Sequence, residues 1–429
     1  MPELLTAPLE DEVRALRTGR PDLMADPYPL YSRLREESPV HRMDDIVLVT
    51  RWDEVQHCHV ASDEFGSGSW AEGGYPVPGA PSRAQVTDPE HDRMLTEIGE
   101  VTGRWLSFLD GEEHQRLRRL AHHAFTPRAV GLMEQRIQEI ADGLLDPHGE
   151  SGEIELVHDF AFQLPLMVIC EMLDIPAEDR FRIREWTVGL ASFTEWGVDF
   201  AERDDRLRYA HSCARSLYDH ISGVMEDRRG KPTTSLLGNL LAADEDGDRF
   251  QTRELVGMLT QVVRAGHETT TNLIAVGTYN LLKHPDQWRL LCERPELVSN
   301  AVEELLRFRS PTQKNERRAL VDTVLGGVEI HAGDRMGLFL GSANRDPDRF
   351  PDPDRLDIAR ADVKHIGFGW GAHHCLGSAL NRLESSVAFR TLSRRFPDLA
   401  IAEREVSWRR LWTFSGLESL PLTLGKDRG

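Results

Sequence analysis

Cys375 stands near the end of a run rich in glycine and aromatic residues. The run reads Phe368-Gly369-Trp370-Gly371-Ala372-His373-His374-Cys375-Leu376-Gly377. A helical pattern over residues 378–396 follows at once. Glycines let a backbone bend closely around a sulfur atom, and the N–H groups that begin a helix favour a charged thiolate. The arrangement suits a thiolate ligand to haem iron, a ligand that promotes cleavage of the O–O bond.

Two simpler interpretations of Cys375 stay open on this residue alone. A lone cysteine is more often a small buried hydrophobic residue than a ligand. The neighbouring His373 and His374 suggest a zinc site, although no CxxC or HxxxH pattern accompanies them. The complete run, together with two motifs earlier in the chain, favours haem ligation.

An acid and an alcohol stand side by side in the middle of the longest helical pattern, residues 252–282. They are Glu268 and Thr269, in the run Ala265-Gly266-His267-Glu268-Thr269-Thr270. A glycine inside a helix costs about 1 kcal/mol relative to alanine, and an acid beside a hydroxyl indicates a proton relay more than a packing face. By itself the run is ambiguous, because Glu-Thr-Thr is common on solvated helix faces.

A third pattern places an acid and a base, Glu304 and Arg307, three residues apart on one helix face. The usual interpretation of such a pair is a weak salt bridge at the surface. Pro311 ends this helix soon afterwards. The pair indicates a particular class of protein only in combination with the other two motifs.

Helical patterns must position these residues, because they cover most of the chain. They span residues 28–38, 112–124, 128–145, 160–173, 179–192, 203–228, 252–282 and 300–308. Strand patterns are fewer, at residues 40–49, 317–330 and 336–340. Residues 66–90 and 346–374 are rich in glycine, proline, serine or aspartate, which predicts loops. The sequence predicts a mainly α fold with a minor β-rich region, not an alternation of strands and helices.

Composition excludes several classes of protein. The net charge of −20 argues against nonspecific binding to nucleic acid. Five widely spaced cysteines fit a reducing cytoplasm better than a disulfide framework. No segment reaches the roughly 18 to 20 apolar residues of a membrane span, and the N-terminal residues lack the apolar stretch of a signal peptide. Because no linker or repeat divides the chain, we expect one cytoplasmic domain over residues 1–429.

Taken together, the three motifs resemble, in order and spacing, the hallmarks of the cytochrome P-450 haem-thiolate monooxygenases. The resemblance covers essentially the whole chain and is to the soluble bacterial type. It implies the helix-rich α+β P-450 fold, and haem b with Cys375 as the axial ligand of its iron. It also implies that Phe368 packs near the sulfur and that Gly371 and Gly377 permit the close turn.

Further roles follow from the same resemblance. Glu268 and Thr269 would deliver protons during dioxygen activation. The implied haem contacts are His114, Arg118, Ala265, Arg317, Phe368, Gly369, His373, Cys375 and Gly377. The basic members of this set would neutralise the haem propionates. Glu304 and Arg307 would form a buried structural ion pair, joined by an arginine of the proline-rich segment, Arg355.

A second histidine–arginine run complicates the choice of the first propionate pair. His91 and Arg93 lie in a similar run, but the segment Ala124-Phe125-Thr126-Pro127-Arg128 follows His114, as the family pattern expects. We therefore expect His91 in an exposed loop. Glu112 stands where the family usually has proline, which leaves open where the helix around His114 begins.

The resemblance places substrate contacts in residues 66–109 and 181–208, in the helix before Glu268, and after Pro311 at Thr312. Ala265 and Gln261 lie one and two turns before Thr269, and Arg264 lies at the edge of that face. The family usually has apolar residues at 261 and 264, and a buried arginine needs a partner. We therefore predict that Gln261 and Arg264 meet a polar or anionic substrate group; the alternative is that Arg264 pairs with an acid of the loops. Five aromatic residues could form a wall of the substrate pocket; the alternative is ordinary core packing. They are Trp70, Trp105, Phe193, Trp196 and Phe200.

Electrons must come from separate proteins, because the chain has no Rossmann glycine fingerprint and no flavin or ferredoxin module. The resemblance implies a ferredoxin and a ferredoxin reductase as donors. Five arginines could form a basic patch that binds an acidic ferredoxin; the alternative is that they lie on ordinary solvated helix faces. They are Arg116, Arg119, Arg382, Arg394 and Arg395. The predicted activity is the monooxygenation of a small organic molecule in secondary metabolism.

Three rival activities stay open at this stage. A peroxide-driven peroxygenase tends to lose the acid–threonine pair, which is intact here as Glu268 and Thr269. The same oxygen chemistry could serve coupling, nitration or desaturation, and the sequence does not separate these outcomes. A haem sensor or carrier that performs no catalysis would have no need of Glu268 and Thr269.

Overall fold

The computed structural model describes residues 7–43, 45–67, 75, 86–122, 125–150, 152–194, 203–229, 231, 235–243 and 247–429. Most of these residues are helical. The α-helices in chain order are α1 (Leu9–Arg17), α2 (Pro21–Ala25), α3 (Tyr28–Glu37), α4 (Trp52–Val60), α5 (Pro89–Thr102), α6 (Gly111–His122), α7 (Pro127–Gly131), α8 (Glu134–Gly149), α9 (Gln163–Met172), α10 (Arg180–Thr194), α11 (Arg203–Arg228), α12 (Leu236–Ala242), α13 (Thr252–Lys283), α14 (Pro285–Glu293), α15 (Val298–Phe308), α16 (Leu340–Ala343) and α17 (Ser378–Arg395).

Short strands complete the fold. They are β1 (Val40–Arg42), β2 (Val47–Val49), β3 (Phe65–Gly66), β4 (Glu153–Glu155), β5 (Asn315–Ala319), β6 (Thr323–Leu325), β7 (Val328–Ile330), β8 (Arg335–Leu338), β9 (Ala400–Ile401), β10 (Ser407–Trp408), β11 (Leu417–Ser419) and β12 (Pro421–Thr423). The largest sheet has the order β1-β2-β8-β5-β3, with β2 and β8 parallel and Val47 opposite Met336. The prediction of a mainly α fold with a minor β-rich region is confirmed.

The chain forms two compact units. The first contains residues 1–65, 133–164 and 269–429, and the second contains residues 66–132 and 165–268. Their boundary in sequence falls inside α13, between Glu268 and Thr269. The first unit holds the sheets and most of the short N-terminal helices. The second unit is helical, with α5, α10 and α11 packed on one another.

Apolar spacing explains why α15 forms and which face it buries. Val298, Ala301, Val302, Leu305 and Phe308 recur every three to four residues and are all buried. Removing a side chain of the size of leucine or valine from water stabilises a fold by about 1.5 to 3 kcal/mol. The helix ends at Phe308, three residues before the proline that the sequence predicts as its stop.

Most of the predicted elements are present, but two of the predicted segments differ and the structure contains further helices. The single helix expected over residues 128–145 is divided into α7 and α8, which are separated by Leu132 and Met133. The loop expected over residues 66–90 gives way to α5 at Pro89, where the Asp88 side chain caps the helix by accepting a hydrogen bond from Glu90 N at 2.8 Å. The helices α1, α2, α4, α12, α14 and α16 are not predicted. In the described ranges, no helix is long and apolar enough to cross a bilayer.

Candidate active site

The loop before α17 folds back on itself and presents Cys375 at its end. The Cys375 N–H donates a hydrogen bond to the Phe368 carbonyl oxygen at 2.9 Å, which closes the loop. Gly369 and Gly371 both have φ of +68°, a conformation that strains any residue with a Cβ atom. The structure describes all five cysteines, and Cys375 is the exposed one. The interpretation of this residue as a small buried hydrophobic residue is therefore wrong.

A close approach between two backbones fixes the middle of the loop. A Cβ atom added to Gly371 would lie 2.7 Å from the carbonyl oxygen of His59, at the end of α4. Cys375 itself lies shortly before the first residue of α17, Ser378. N–H groups at the start of a helix carry partial positive charge. This position therefore favours the negatively charged thiolate form of Cys375.

A second layer of side chains packs behind Phe368. The Arg382 guanidinium carbon lies 4.6 Å from the centroid of the Phe368 ring, and the His365 ring lies 5.5 Å from it. Arg382 and His365 both contact Glu303, with Arg382 Nε 2.6 Å and His365 Nε2 3.2 Å from its carboxylate oxygens. Although burial alone would raise the pKa of Glu303, these two partners lower it to about 2. The Phe368 ring thus packs against Arg382 and His365, both of which contact the Glu303 carboxylate.

Basic side chains gather on the other side of the loop. Arg317, on β5, donates from Nη1 to the Glu316 carbonyl oxygen at 2.8 Å, and its Nη2 lies 3.1 Å from His59 Nδ1. Burial, and after it the charges of Arg317 and His373, hold the pKa of His59 well below its ordinary value. The structure therefore brings two of the predicted propionate residues to one buried histidine. His59 belongs to no sequence motif and was not predicted.

The other predicted propionate pair lies on α6, in the second unit. His114 is buried and Arg118 is half-buried, four residues apart on one helix face. The helix begins at Gly111, so Glu112 occupies an exposed position in its first turn, where the helix dipole stabilises acids. Glu112 therefore does not disturb the helix. The expectation that His91 lies in a loop is wrong, because His91 is part of α5 and its Nε2 lies 2.5 Å from Asp204 Oδ1.

The acid–alcohol run lies on α13, which stays α-helical throughout residues 265–271. Ala265 is exposed, although the helix around it is mostly buried. Glu268 and Thr269 are half-buried next to each other. The next residue, Thr270, is buried, and its Oγ1 accepts a hydrogen bond from Asn381 Nδ2 of α17 at 2.9 Å. An open face at a small residue, directly beside an acid and a hydroxyl, suits a bound cofactor and proton transfer next to it.

Glu304 and Arg307 meet in the interior. Arg307 Nε and Nη2 donate to the two Glu304 carboxylate oxygens at 2.7 and 2.9 Å, and neither side chain is exposed to solvent. The third arginine is Arg360, whose Nε lies 3.2 Å from Glu304 Oε2. The prediction of Arg355 is wrong. Its side chain is largely exposed, and it contributes its backbone carbonyl oxygen, which accepts from Arg307 and Arg360.

The predicted substrate residues of α13 contact the segment that follows α5. Gln261 Oε1 accepts a hydrogen bond from the Leu106 N–H at 2.6 Å. Trp105 is buried and donates from Nε1 to Thr260 Oγ1 at 3.1 Å. The Arg264 guanidinium carbon lies 5.3 Å from the centroid of the Trp105 ring. The Gln261 oxygen is thus used within the protein.

The remaining predicted pocket residues are described only in part. Thr312 is half-buried and forms an isolated β-bridge with Phe414. Trp70, Trp196 and Phe200 lie outside the described residues, as does the side chain of Phe193.

Most arginines of the predicted basic patch have acidic partners. Ion pairs join Arg116 to Asp248 and Glu254, Arg382 to Glu303, Arg394 to Asp142, and Arg395 to Asp146 and Asp427. A paired arginine presents less net positive charge to a partner protein. The sequence did not reveal these pairs, because the acids come from distant parts of the chain.

Each unit, taken by itself, contains side chains of the kinds that bind haem b. Cys375 supplies an exposed sulfur at the end of a rigid loop. Arg317 and His373 in the first unit, and His114 and Arg118 in the second, supply basic groups of the kind that pair with propionates. Ala265 offers a small exposed surface in a long helix.

Comparison with known proteins agrees with this fit. The family model for Cytochrome P450 matches residues 200–406. The chain is 39% identical to the Vitamin D(3) 25-hydroxylase of Pseudonocardia autotrophica, over 93% of this chain and 94% of the relative. It is 37% identical to the cytochrome P450 monooxygenase PikC of Streptomyces venezuelae, over 95% and 93% of the two chains.

A solved structure gives the same result for the fold. The bacillaene polyketide synthase cytochrome P450 PksS of Bacillus subtilis 168 has a TM-score of 0.82 and 34% identity, and the match covers 96% of this chain and 99% of that one. The chain belongs to the cytochrome P450 family, and it is a monooxygenase that carries haem b and uses O₂ and redox partners to oxidise an organic substrate.

Proposed function

We propose that Cys375 is the axial thiolate ligand of the haem in a hydroxylase of a small secondary metabolite. The observation that carries the proposal is the exposed Cys375 thiol at the end of a loop closed by its own backbone hydrogen bond to Phe368. When bound, haem b supplies the activation of O₂, from which one oxygen atom enters the substrate and the other leaves as water. Phe368 and Gly369 shape the surface around the sulfur. Gly377 has a φ of −84° and nothing within 4 Å of an added Cβ atom, so the turn itself does not require glycine there, and Gly377 stays a proposed haem contact.

Glu268 and Thr269 are the proposed proton carriers. Their adjacent, half-buried positions on α13 support a path in which the carboxyl group takes up a proton from solvent and the hydroxyl group passes it on. A peroxygenase receives its protons with the peroxide and needs no net uptake of protons from solvent. The intact pair therefore favours O₂ as the oxidant.

Four basic residues are the proposed anchors of the haem propionates. They are His114, Arg118, Arg317 and His373. The burial of His114 and the hydrogen bonds that hold Arg317 in place support this role, because a fixed donor binds a carboxylate with less loss of entropy than a flexible one. Ala265 is the proposed residue of closest approach to the haem face.

The proposed substrate carries a polar or anionic group that faces Arg264. Its support is the position of Arg264 next to the exposed Ala265, together with the Trp105 ring that limits how the guanidinium can turn. Gln261 is reassigned from a substrate contact to a residue that holds the segment at Leu106. Thr312 stays a proposed pocket residue. Arg264→Leu should weaken binding of the true substrate, measured by the spin-state change of the haem, and unchanged affinity would overturn this part.

The proposed electron donors are a ferredoxin and a ferredoxin reductase, and the proposed compartment is the cytoplasm. Separate donors are supported by membership of the cytochrome P450 family, whose bacterial members use redox partners. The named relatives are hydroxylases and monooxygenases, which favours hydroxylation over coupling, nitration or desaturation and gives a sensor role no support.

The first experiment is the carbon monoxide spectrum of the reduced protein. A strongly red-shifted Soret band in the wild type, and its loss in Cys375→Ala, is the expected result. A band typical of histidine ligation in folded protein, or a red-shifted band that survives in Cys375→Ala, would refute Cys375 as the ligand. Turnover with a surrogate ferredoxin and reductase then tests the reaction itself.

A further inference from the structure

A buried histidine contacts the arginine that is assigned to a haem propionate. His59 is the penultimate residue of α4, and only 4% of it is exposed. Its Nδ1 lies 3.1 Å from Nη2 of Arg317. The backbone of α4 packs closely against the Cys375 loop at this point, because a Cβ atom added to Gly371 would lie 2.7 Å from the His59 carbonyl oxygen.

The chemistry of the two groups fixes which atom donates. A guanidinium has five N–H donors and no acceptor, so Arg317 donates and His59 Nδ1 accepts. A neutral imidazole that accepts at Nδ1 carries its proton on Nε2. Burial and the neighbouring cations lower the pKa of His59 and keep it in this neutral form.

The same contact has a cost. His59 Nε2 is buried, and none of the described residues accepts a hydrogen bond from it. A buried polar group without such a bond costs about 1 to 3 kcal/mol. Leucine or methionine at this position would avoid the cost, so packing alone does not account for a histidine here.

His59 restricts how the guanidinium of Arg317 can turn. Nη1 donates to the Glu316 carbonyl oxygen and Nη2 donates to His59, so each terminal nitrogen has its own acceptor. Two acceptors on two different nitrogen atoms define the plane of the guanidinium. Orientation matters, because the fork geometry of arginine decides how it meets a carboxylate.

We propose that His59 is a positioning residue that accepts a hydrogen bond from Arg317 and thereby aims its guanidinium at a haem propionate. The inference rests on the propionate role of Arg317 in the proposed function. It assigns a role in haem retention and reduction potential to a residue outside the three sequence motifs. Arg317 acts on the propionate directly, and His59 acts only through Arg317.

Two substitutions of similar volume separate positioning from packing. His59→Met removes the acceptor and keeps an adaptable apolar side chain, whereas His59→Gln keeps an acceptor oxygen. His59→Leu is a second apolar variant. His57→Leu is the matched control on the same helix, because His57 is exposed and lies near Glu64. The readouts are the rate of haem transfer to apomyoglobin and the reduction potential of the iron.

We expect about tenfold faster haem loss in His59→Met and in His59→Leu, the equivalent of about 1.4 kcal/mol. The potential should become more negative, because a cation held near the propionate favours the reduced iron. His59→Gln and His57→Leu should stay within about twofold of wild type. In an Arg317→Leu background, His59→Met should add less than about a twofold effect, as coupled residues do in a double-mutant cycle.

The inference is overturned if His59→Met and His59→Leu match wild type, if His59→Gln is impaired as strongly as His59→Met, or if the effects of His59→Met and Arg317→Leu are independent. A failure of the proposed function looks different. In that case the wild-type protein itself lacks the thiolate carbon monoxide spectrum, whatever the His59 variants do.

Discussion

Arg307 holds both carboxylate oxygens of Glu304 in a fully buried ion pair, with N···O distances of 2.7 and 2.9 Å. The remaining nitrogen of Arg307 donates to the carbonyl oxygens of Asn344 and Pro353 at 3.0 and 2.8 Å. One side chain of α15 thus supplies hydrogen-bond donors to backbone carbonyl groups of the irregular segment that leads to the Cys375 loop. This segment has little regular structure of its own, so its shape depends on side chains that reach in from outside.

Loss of this arginine should be strongly destabilising. Arg307→Leu removes the bidentate partner of the buried Glu304 carboxylate and a donor to the carbonyl oxygens of Asn344 and Pro353. Breaking a buried ion pair costs about 3 to 5 kcal/mol. We expect a decrease of that size in the free energy of unfolding, measured in urea. Arg360→Ala should cost less, because Arg360 contacts Glu304 through a single nitrogen and its other hydrogen bonds, to the carbonyl oxygens of Pro351, Asp352 and Arg355, are exposed to solvent.

Arg355→Ala is the matched control for this prediction. The Arg355 side chain is largely exposed, and its backbone contribution survives the substitution. The change should stay within about 0.5 kcal/mol of wild type. A loss in Arg355→Ala equal to that in Arg360→Ala would contradict the assignment of the third arginine.

Glu384 predicts an unusual pH dependence of stability. This glutamate of α17 is fully buried, and burial raises its pKa from the ordinary value of 4.5 to about 8. Between these two values the folded protein holds a proton that the unfolded chain releases. The contribution of Glu384 to the free energy of unfolding therefore decreases as the pH rises from about 4.5 to about 8, by up to about 1.4 kcal/mol per pH unit.

Glu384→Gln isolates that contribution, because glutamine resembles the protonated acid and does not titrate. The difference in stability between variant and wild type should grow in favour of the variant as the pH rises through this window and become constant above it. Urea unfolding at several pH values measures the difference. A constant difference across the window would mean that Glu384 titrates alike in the folded and unfolded protein.

Gly371 should tolerate no side chain. Gly371→Ala combines the strain of a left-handed backbone, about 1 to 2 kcal/mol, with a Cβ atom 2.7 Å from the His59 carbonyl oxygen. Gly327→Ala is the matched control, because Gly327 also has positive φ but nothing within 4 Å of the added atom. We expect Gly371→Ala to lose at least about 1 kcal/mol more in urea unfolding and to weaken the thiolate carbon monoxide spectrum. Equal losses in the two variants would show that the clash is relieved by movement of α4.

The contrast between Glu304–Arg307 and Arg360 shows how far the sequence can predict the fold and the site. A spacing of three on an amphipathic helix is sufficient to place the first two side chains on one face. Arg355 and Arg360 both lie in a segment without periodicity, so only the path of the chain decides which one reaches Glu304. His59 was missed for a related reason, because its neighbours in space, Arg317 and Gly371, are far away in the sequence.

Gln261 provides the last prediction, on the segment after α5. Its Oε1 accepts from the Leu106 N–H at 2.6 Å, and the buried Trp105 beside it donates to Thr260. Gln261→Leu removes the acceptor and should speed hydrogen exchange at the Leu106 amide by about fivefold, as expected for a lost hydrogen bond worth about 1 kcal/mol. Gln261→Glu retains an oxygen at the same reach and should keep the amide protected. If both variants exchange like wild type, another group protects the Leu106 amide and Gln261 is available to the substrate after all.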